Sequence, residues 1–253
     1  MTRIAVIGAG LMGHGIALTF AREGLSVALT DPVDDMRATA LDRIAHSLAL
    51  LGAQQGDIDA AIGNVRVTAS LPEAVGDADV VFEAAPEKLD LKQAIFADVE
   101  AHAPTTTMLA SNTSVIQITK IMGGLTSRHR ALGTHWWNPP HMIPLVEVVK
   151  TEWTDPYVAQ SMVDLLRDAG KTPVIVEKDV PGFIGNRLQH ALWREAISLV
   201  ENGICSAEAV DEVVKASFGR RLAVLGPLEN ADLVGLELTQ DIHAQVLLDQ
   251  ETR

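Results

Sequence analysis

The chain has 253 residues, of which 47% are hydrophobic and 21% charged, so it can bury a sizeable core and is not a disordered protein. Its 20 Lys+Arg against 33 Asp+Glu give a formal net charge of −13, which excludes the basic surface that nucleic acids need and opposes binding to anionic membranes. The single cysteine, Cys205, excludes an intrachain disulfide and a cysteine-based zinc motif. We therefore predict no metal site and a reducing, cytoplasmic compartment.

Short apolar runs alternate with helical patterns over the first two thirds of the chain. The predicted strands are Ile4–Ile7, Ser26–Thr30, Val65–Thr68, Val80–Glu83, Thr107–Ala110, Ala131–Thr134, Leu145–Val149 and Val174–Val176. The predicted helices between them are Met12–Glu23, Asp34–Leu51, Leu89–His102 and Asp155–Ala169. This alternation indicates an α/β fold with a parallel sheet and helices on both faces. No uninterrupted apolar stretch is long enough to span a membrane.

The pattern changes at Val180-Pro181-Gly182, after which the apolar spacing is helical throughout. We place a domain boundary there, with residues 1–180 forming the first domain and 181–253 an all-helical second one. Its predicted helices run from Ile184 to Val200, over Ser206–Ser217 with Ser206 as N-cap, and over Leu228–Asp249. About 70 helical residues make a thin free-standing domain. We therefore expect it to pack on the first domain, on chain beyond this sequence, or on a second copy in a homodimer.

A glycine-rich turn follows the first strand and opens the first helix. Gly8 to Gly13 match G-x-G-x-x-G, in which Gly8 permits the tight turn, Gly10 allows a diphosphate to approach the backbone, and Gly13 lets helix and strand pack closely. The diphosphate would lie on the helix N-terminus, where the N–H groups around Leu11 and Met12 favour an anion. The turn therefore predicts a dinucleotide site.

An aspartate follows the second strand, 18 residues beyond Gly13. Asp31 can accept hydrogen bonds from the adenosine ribose hydroxyls, and its charge repels a 2′-phosphate. No basic residue follows until Arg37. The predicted cofactor is therefore NAD rather than NADP.

A histidine and a glutamate follow in a pattern that suits acid–base chemistry. His135 comes directly after the strand Ala131–Thr134, and Glu147 interrupts the apolar run Leu-Val-Glu-Val-Val. A returning strand could bring Glu147 beside His135, where its charge would hold the tautomer and stabilise the imidazolium. Alternatively, His135 faces solvent and Glu147 lies on an edge strand. His141, in a proline-flanked turn, is a rival base.

Polar residues at two further places could complete the site. Ser114 ends the run Ser-Asn-Thr-Ser after a strand, where it could bind the nicotinamide or the substrate oxygen, or else cap a helix. Asn186, near the first helix of the second domain, could orient the substrate or be an ordinary capping residue. Trp136 and Trp137 either pack in the core or, facing the cleft, could hold a quaternary ammonium by cation–π attraction.

Taken together, these segments resemble the 3-hydroxyacyl-CoA dehydrogenase family. The matching segments occur in one order: GAGLMGHGIA, EAAPEKLDLK, SNTS, THWWNPPHMIPLVEVVKT and PGFIGNRL. The resemblance implies an NAD-dependent oxidoreductase with a Rossmann-type NAD-binding domain and a helical C-terminal domain that commonly dimerises. It also implies a 3-hydroxy acid or a 3-hydroxyacyl-CoA as substrate, and a place in fatty acid metabolism.

The resemblance assigns roles to individual residues. It implies that His135 and Glu147 form the catalytic pair, and that Ser114 and Asn186 belong to the catalytic site. Beyond the glycine-rich turn, the implied contacts to NAD come from Asp31, Glu87, Lys92, Ser114 and Asn138.

This sequence departs from the family in two ways. Members that hold CoA have a lysine-rich helical arm after the second strand, whereas residues 34–63 contain no lysine and only Arg37 and Arg43. The chain also ends earlier than is usual, so we expect a truncated second domain. Phrases such as NPPHMIPLVEVV and GPLENADLVG look closer to the lambda-crystallin/L-gulonate dehydrogenase branch, which, like the carnitine dehydrogenases, oxidises free 3-hydroxy acids. We therefore expect a free acid to be favoured slightly over its CoA ester.

Two other classes of function compete with an enzyme. The chain could be a non-catalytic NAD(H)-binding protein with a structural or redox-sensing role, or a helical interaction module joined to a vestigial nucleotide domain. The presence of His135, Glu147, Ser114 and Asn186 argues against the first alternative, because a pure binder does not need them. The complete glycine-rich turn argues against the second.

Overall fold

The computed structural model describes residues 2–250, with side chains up to residue 247. The described chain divides into two compact units, and the division falls between Ile184 and Gly185. The first unit contains a single sheet with helices on its two faces, and the second contains helices alone. Among the described residues, no helix combines the length and the hydropathy that a membrane crossing requires.

Eight strands form the sheet, in the order β3-β2-β1-β4-β5-β6-β7-β8. They are β1 (Arg3–Ile7), β2 (Ser26–Thr30), β3 (Val65–Thr68), β4 (Val80–Glu83), β5 (Met108–Ser111), β6 (Ala131–Trp136), β7 (Leu145–Val149) and β8 (Thr172–Val176). All neighbouring pairs are parallel except β6 and β7, which are antiparallel. The predicted α/β class with a Rossmann-type first domain and helices after it is therefore confirmed, with one antiparallel pair that strand–helix alternation did not indicate.

Twelve α-helices accompany the strands in the described chain. Those of the first unit are α1 (Leu11–Ala21), α2 (Asp34–Ala38), α3 (Ala40–Leu50), α4 (Gln55–Gly63), α5 (Leu71–Val75), α6 (Leu89–His102), α7 (Ile118–Met122) and α8 (Pro156–Asp168). Those of the second unit are α9 (Gly185–Glu201), α10 (Ala207–Ala216), α11 (Pro227–Val234) and α12 (Leu236–Gln250).

Alternating apolar residues of each strand build a core on both faces of the sheet. Ile4 and Val6 of β1 belong to one buried cluster, together with residues of α1, α3 and α8. Ala5 and Ile7 belong to the other, with residues of α5, α6 and α7. Because successive side chains of a strand point to opposite faces, a run of buried apolar residues requires cover on both sides.

Two predicted helices are divided in the structure. The predicted helix Asp34–Leu51 breaks at Thr39, where φ is −100° and the hydroxyl donates to the carbonyl of Asp35. The predicted helix Leu228–Asp249 breaks at Gly235, where a φ of 104° ends α11. The sequence analysis also missed α4, α5 and α7. Ser206 caps α10 as predicted, because its Oγ accepts a hydrogen bond from the N–H of Ala209 at 3.3 Å.

Candidate active site

Several candidate site residues of the first unit lie at the carboxyl ends of the parallel strands. Gly8 follows β1, Asp31 follows β2, Glu83 ends β4, and Ser111 ends β5. Ligands of open α/β sheets bind at this edge, so the topology alone brings these residues together.

The glycine-rich turn has close packing on one side and open space on the other. Gly8 has a φ of 99°, and a Cβ there would lie 2.6 Å from the carbonyl oxygen of Ala84. A Cβ on Gly13 would lie 1.6 Å from the carbonyl oxygen of Gly8. By contrast, a Cβ on Gly10 would meet no atom within 4 Å. Gly10 therefore keeps space clear at the N-terminus of α1, which fits the approach of a diphosphate.

The carboxylate of Asp31 is held in place beside this turn. Its Oδ2 accepts the N–H of Ala9 at 2.8 Å, and its Oδ1 accepts the N–H of Val33 at 2.9 Å. The guanidinium of Arg37 donates to the carbonyl oxygen of Asp31 at 2.5 Å. Each carboxylate oxygen can accept further hydrogen bonds, so a ribose with two hydroxyls fits here.

A buried ion pair lies at the carboxyl ends of β4 and β5. Glu83 and Lys92 are both fully buried, and the ammonium of Lys92 donates to Oε1 of Glu83 at 2.7 Å. Oε2 of Glu83 accepts the hydroxyl proton of Ser111 at 2.6 Å. The sequence analysis missed Glu83, although an acid that ends the apolar run Val-Val-Phe-Glu was a usable signal, as it was for Glu147.

Glu87 holds the loop that contains Ser114. Its carboxylate accepts the hydroxyl proton of Thr113 and the N–H groups of Ser114 at 3.2 Å and Val115 at 3.3 Å. Burial raises the pKa of Glu87, but the bond from Thr113, the charge of Lys92 and the backbone N–H groups outweigh it and lower the pKa. Glu87 is therefore ionised at neutral pH.

His135 and Glu147 are neighbours across the antiparallel pair β6 and β7. They oppose each other in register, both are buried, and Nδ1 of His135 lies 2.7 Å from Oε2 of Glu147. Oε1 of Glu147 accepts the N–H of Ile184 at 2.8 Å. His135 lies within β6 rather than directly after it, because β6 continues to Trp136. A carboxylate can only accept, so in the neutral imidazole this contact favours the tautomer with the proton on Nδ1 and the lone pair on Nε2.

Two aromatic rings lie against the imidazole of His135. The ring centroid of Trp137 is 5.3 Å away and that of Phe183 is 5.5 Å away, and each ring plane is inclined by 51° to the imidazole plane. Trp136, in contrast, is a core residue with 2% exposure that packs against Phe20 and Phe82. The alternative in which Trp136 faces a cleft is therefore wrong, and of the two tryptophans Trp137 is the one whose ring lies against His135.

The rival base His141 has a different environment. Its ring lies 6.1 Å from that of His14, and its Nδ1 is buried without a hydrogen-bond partner in the part of the chain that the structure describes. Burial lowers the pKa of His141, and the charges of His14, Lys171 and Arg22 lower it further. Only His135 of these two histidines has a carboxylate on its Nδ1.

The remaining predicted site residues lie at separate places in the fold. Leu11 is exposed and Met12 partly so in the first turn of α1, and Ser114 and Asn138 are exposed in loops. Asn186 is the second residue of α9, in the second unit. Asn112, which belongs to the same run Ser-Asn-Thr-Ser, accepts the N–H of Trp136 at 3.0 Å and so ties this loop to β6. Within residues 2–250 no cluster of three His, Cys, Asp or Glu could hold a metal ion.

Comparison with protein families gives matches over both units. Residues 3–180 match the model described as "3-hydroxyacyl-CoA dehydrogenase, NAD binding domain", and residues 182–252 match "3-hydroxyacyl-CoA dehydrogenase, C-terminal domain". The NAD predicted from the glycine-rich turn and Asp31 is thereby confirmed as the cofactor.

Several proteins named as dehydrogenases are similar to this chain over nearly its whole length. A 5-formyl-3-hydroxy-2-methylpyridine 4-carboxylate 5-dehydrogenase from Mesorhizobium japonicum is 38% identical over 99% of this chain and 81% of the relative. An L-carnitine dehydrogenase from Streptomyces griseus is 39% identical, covering 93% of this chain and 70% of the relative. The human mitochondrial hydroxyacyl-coenzyme A dehydrogenase is 37% identical, covering 94% and 78%.

A solved structure shows the same fold. The crystal structure of a 5-formyl-3-hydroxy-2-methylpyridine 4-carboxylic acid 5-dehydrogenase, described as an NAD+-dependent dismutase, superposes with a TM-score of 0.90. The two sequences are 37% identical, and the match covers 98% of this chain and 81% of the other.

Proposed function

Because the chain belongs to the 3-hydroxyacyl-CoA dehydrogenase family of NAD-dependent enzymes, we propose that it oxidises the 3-hydroxyl of a 3-hydroxy acid or its CoA thioester to a ketone, with His135 as the base and the free acid slightly favoured. One observation carries the proposal: the buried pair in which Nδ1 of His135 lies 2.7 Å from a Glu147 oxygen. A mere NAD-binding protein has no need of such a pair.

The proposed chemistry follows from the state of the two side chains. With Nδ1 protonated against Glu147, Nε2 of His135 is the atom that takes the hydroxyl proton of the substrate. The negative charge of Glu147 stabilises the imidazolium that results, and the N–H of Ile184 holds the other carboxylate oxygen. NAD, when bound, supplies the acceptor for the hydride that leaves the carbon bearing this hydroxyl.

The loop of residues 111–114 is proposed to position the substrate oxygen and the nicotinamide. Ser114 would donate its hydroxyl there, and Asn186 would orient the substrate. Support comes from the restraint on the loop, because Glu87 binds the N–H of Ser114 at 3.2 Å. Glu87, Asn138, Leu11 and Met12 are proposed to bind NAD. Lys92, which is fully buried with its ammonium 3.5 Å from Oε2 of Glu87, is proposed to act on NAD through Glu87.

The preference for a free acid is supported by the helical arm of residues 34–63. CoA carries a phosphate monoester of about −1.5 to −2 charges and a diphosphate, which need basic partners. Both arginines of the arm already bind backbone carbonyls: Arg37 donates to Asp31, and Arg43 donates to Met36 at 2.6 Å. The first 87 residues also hold twelve acidic side chains against five arginines and no lysine. The arm therefore offers the CoA phosphates little attraction.

The substrate class can be tested with a small panel of compounds. NADH formation is measured with L-carnitine, L-gulonate, 3-hydroxybutyrate, 3-hydroxybutyryl-CoA and the pyridine aldehyde that the Mesorhizobium relative is named for. We expect kcat/KM for one of the free acids to equal or exceed that for the CoA ester. A tenfold advantage of the CoA ester over every free acid would refute the preference. Tight NADH binding without turnover of any compound would favour the non-catalytic alternative.

We also propose that the chain forms a homodimer through its second unit. The helices α9 and α10 contain no buried residue, and large apolar side chains such as Val224, Leu228 and Leu233 are 76–85% exposed. A second copy would cover these faces. Light scattering at micromolar concentration should give a dimer, and a monomer would contradict the proposal. Replacing Leu228 and Leu233 by arginine should weaken the dimer, whereas Leu50→Arg, at an equally exposed position of α3, should not.

A further inference from the structure

The backbone of Phe183 has an unusual conformation at the end of the first unit. Its φ is 51°, and in the described chain it is the only residue other than glycine with a positive φ. The left-handed region is disfavoured for side chains with a Cβ, and for a bulky side chain it is a genuine outlier. Such a conformation persists only where the surrounding structure enforces it, and it often marks a functional site.

Contacts on both sides restrain this segment. Before Phe183, the carboxylate of Asp179 accepts the N–H and the hydroxyl proton of Thr119, both at 2.7 Å, and Gln117 donates to the carbonyl of Asp179 at 3.1 Å. After Phe183, the N–H of Ile184 donates to Oε1 of Glu147 at 2.8 Å. The segment is therefore fixed to α7 at one end and to the proposed catalytic pair at the other.

The side chain of Phe183 is restrained as well. It is 1% exposed and belongs to the buried cluster on the α6 side of the sheet. Its ring centroid lies 5.5 Å from that of His135, while Trp137 lies against the imidazole at 5.3 Å. Phe183 thus contacts the base through its ring, and the peptide that follows it contacts the partner of the base.

From these contacts we propose that Phe183 is a positioning residue for the catalytic pair, an inference that rests on the proposed function. Its left-handed backbone turns the following peptide so that the N–H of Ile184 points at Glu147. Its ring restricts the orientation of the imidazole of His135. With a negative φ at Phe183 this peptide would turn, and the hydrogen bond from the N–H of Ile184 to Glu147 would be lost.

The test compares Phe183→Leu with Phe96→Leu. Phe96 is fully buried in the same apolar cluster, so both changes remove a ring from one core. We expect similar losses of thermal stability in the two variants. Only Phe183→Leu should lower kcat, by about tenfold to a hundredfold, as small misplacements of catalytic groups do. The KM for NAD should stay within twofold in both. Equal kcat in the two variants would refute a positioning role.

A second measurement needs no substrate. In protein labelled with 15N-histidine, the Nδ1–H proton of His135, which lies on the bond to Glu147, is identified by its absence from His135→Gln. It should exchange with solvent at least tenfold faster in Phe183→Leu than in the wild type, and at an unchanged rate in Phe96→Leu. The amide proton of Ile184 should exchange with solvent at least 100-fold more slowly than in an unfolded chain, as its bond to Glu147 requires. An unchanged exchange rate of the His135 proton in Phe183→Leu, or an unprotected Ile184 amide, would overturn the inference, whether or not the proposed substrate class is right.

Discussion

The close packing of α1 on the glycine-rich turn leads to a sharp prediction for Gly13→Ala. The new Cβ would lie 1.6 Å from the carbonyl oxygen of Gly8 and 2.8 Å from its carbonyl carbon. Both atoms are backbone, so no side chain can rotate away and the helix itself must move. Overpacking of this kind lowers the free energy of unfolding by about 3 kcal/mol, and the higher helix propensity of alanine offsets about 1 kcal/mol of this loss. We therefore expect a net loss of about 2 kcal/mol or more.

Two further glycines serve as matched controls. Gly56, in α4, has open space at the Cβ position, so Gly56→Ala should raise the free energy of unfolding by about 0.5–1 kcal/mol. Gly10 also has open space, so Gly10→Ala should change stability by less than about 1 kcal/mol, since alanine is only a poorer N-cap. Its methyl group would, however, occupy the space that we assign to the diphosphate.

The assay pairs two measurements for each variant. Urea unfolding followed by tryptophan fluorescence gives the free energy of unfolding, and titration with NADH gives the cofactor affinity. Gly13→Ala should lower both the free energy of unfolding and the affinity for NADH. Gly10→Ala should lower only the affinity, by at least tenfold. Gly56→Ala should lower neither. If Gly13→Ala unfolds at the same urea concentration as Gly56→Ala, the packing of α1 on the turn is wrong. If Gly10→Ala binds NADH normally, the cofactor lies elsewhere.

Burial, aided by the charge of Arg22, lowers the pKa of Lys171 to about 8. The unfolded chain then binds more protons between pH 8 and 10, so the free energy of unfolding should rise by about 1 kcal/mol from pH 7 to 9 through this group, and Lys171→Met should lack that rise in urea melts. Burial also lowers the pKa of His14, so stability should fall as the pH drops below 6.5, and less steeply in His14→Gln. Asp31→Ser should raise the ratio of kcat/KM for NADP to that for NAD at least tenfold, because it removes the carboxylate that repels the 2′-phosphate; an unchanged cofactor ratio would contradict the role of Asp31.

Much of the fold could be predicted because it depends on local pattern. The strands Ser26–Thr30, Val65–Thr68 and Leu145–Val149 agree with the structure to the residue, since each is a short segment rich in β-branched or aliphatic residues. The break at Thr39 could not be predicted, because the helical spacing of apolar residues continues across it. It depends on the backbone angles of one residue and its bond to Asp35.

Parts of the candidate site depend on tertiary contacts that no local pattern contains. The buried pair of Glu83 and Lys92 joins a strand end to a helix, and only the fold shows that Lys92 is not a surface lysine. The left-handed conformation of Phe183 is likewise imposed by its surroundings, because phenylalanine has no preference for it. The contact between His135 and Glu147 could be predicted from the sequence, because a buried acid in an apolar strand needs a polar partner.

The role of His135 as the base is tested most directly by comparing His135→Gln with His141→Gln. With the substrate that the panel identifies, His135→Gln should lower kcat by about 10²–10⁴-fold, the usual contribution of acid–base catalysis. Its affinity for NADH should stay within twofold of the wild type, because the glycine-rich turn and Asp31 are unchanged. His141→Gln should keep kcat within threefold. A large loss of kcat in His141→Gln together with a near-normal kcat in His135→Gln would contradict the role of His135 as the base.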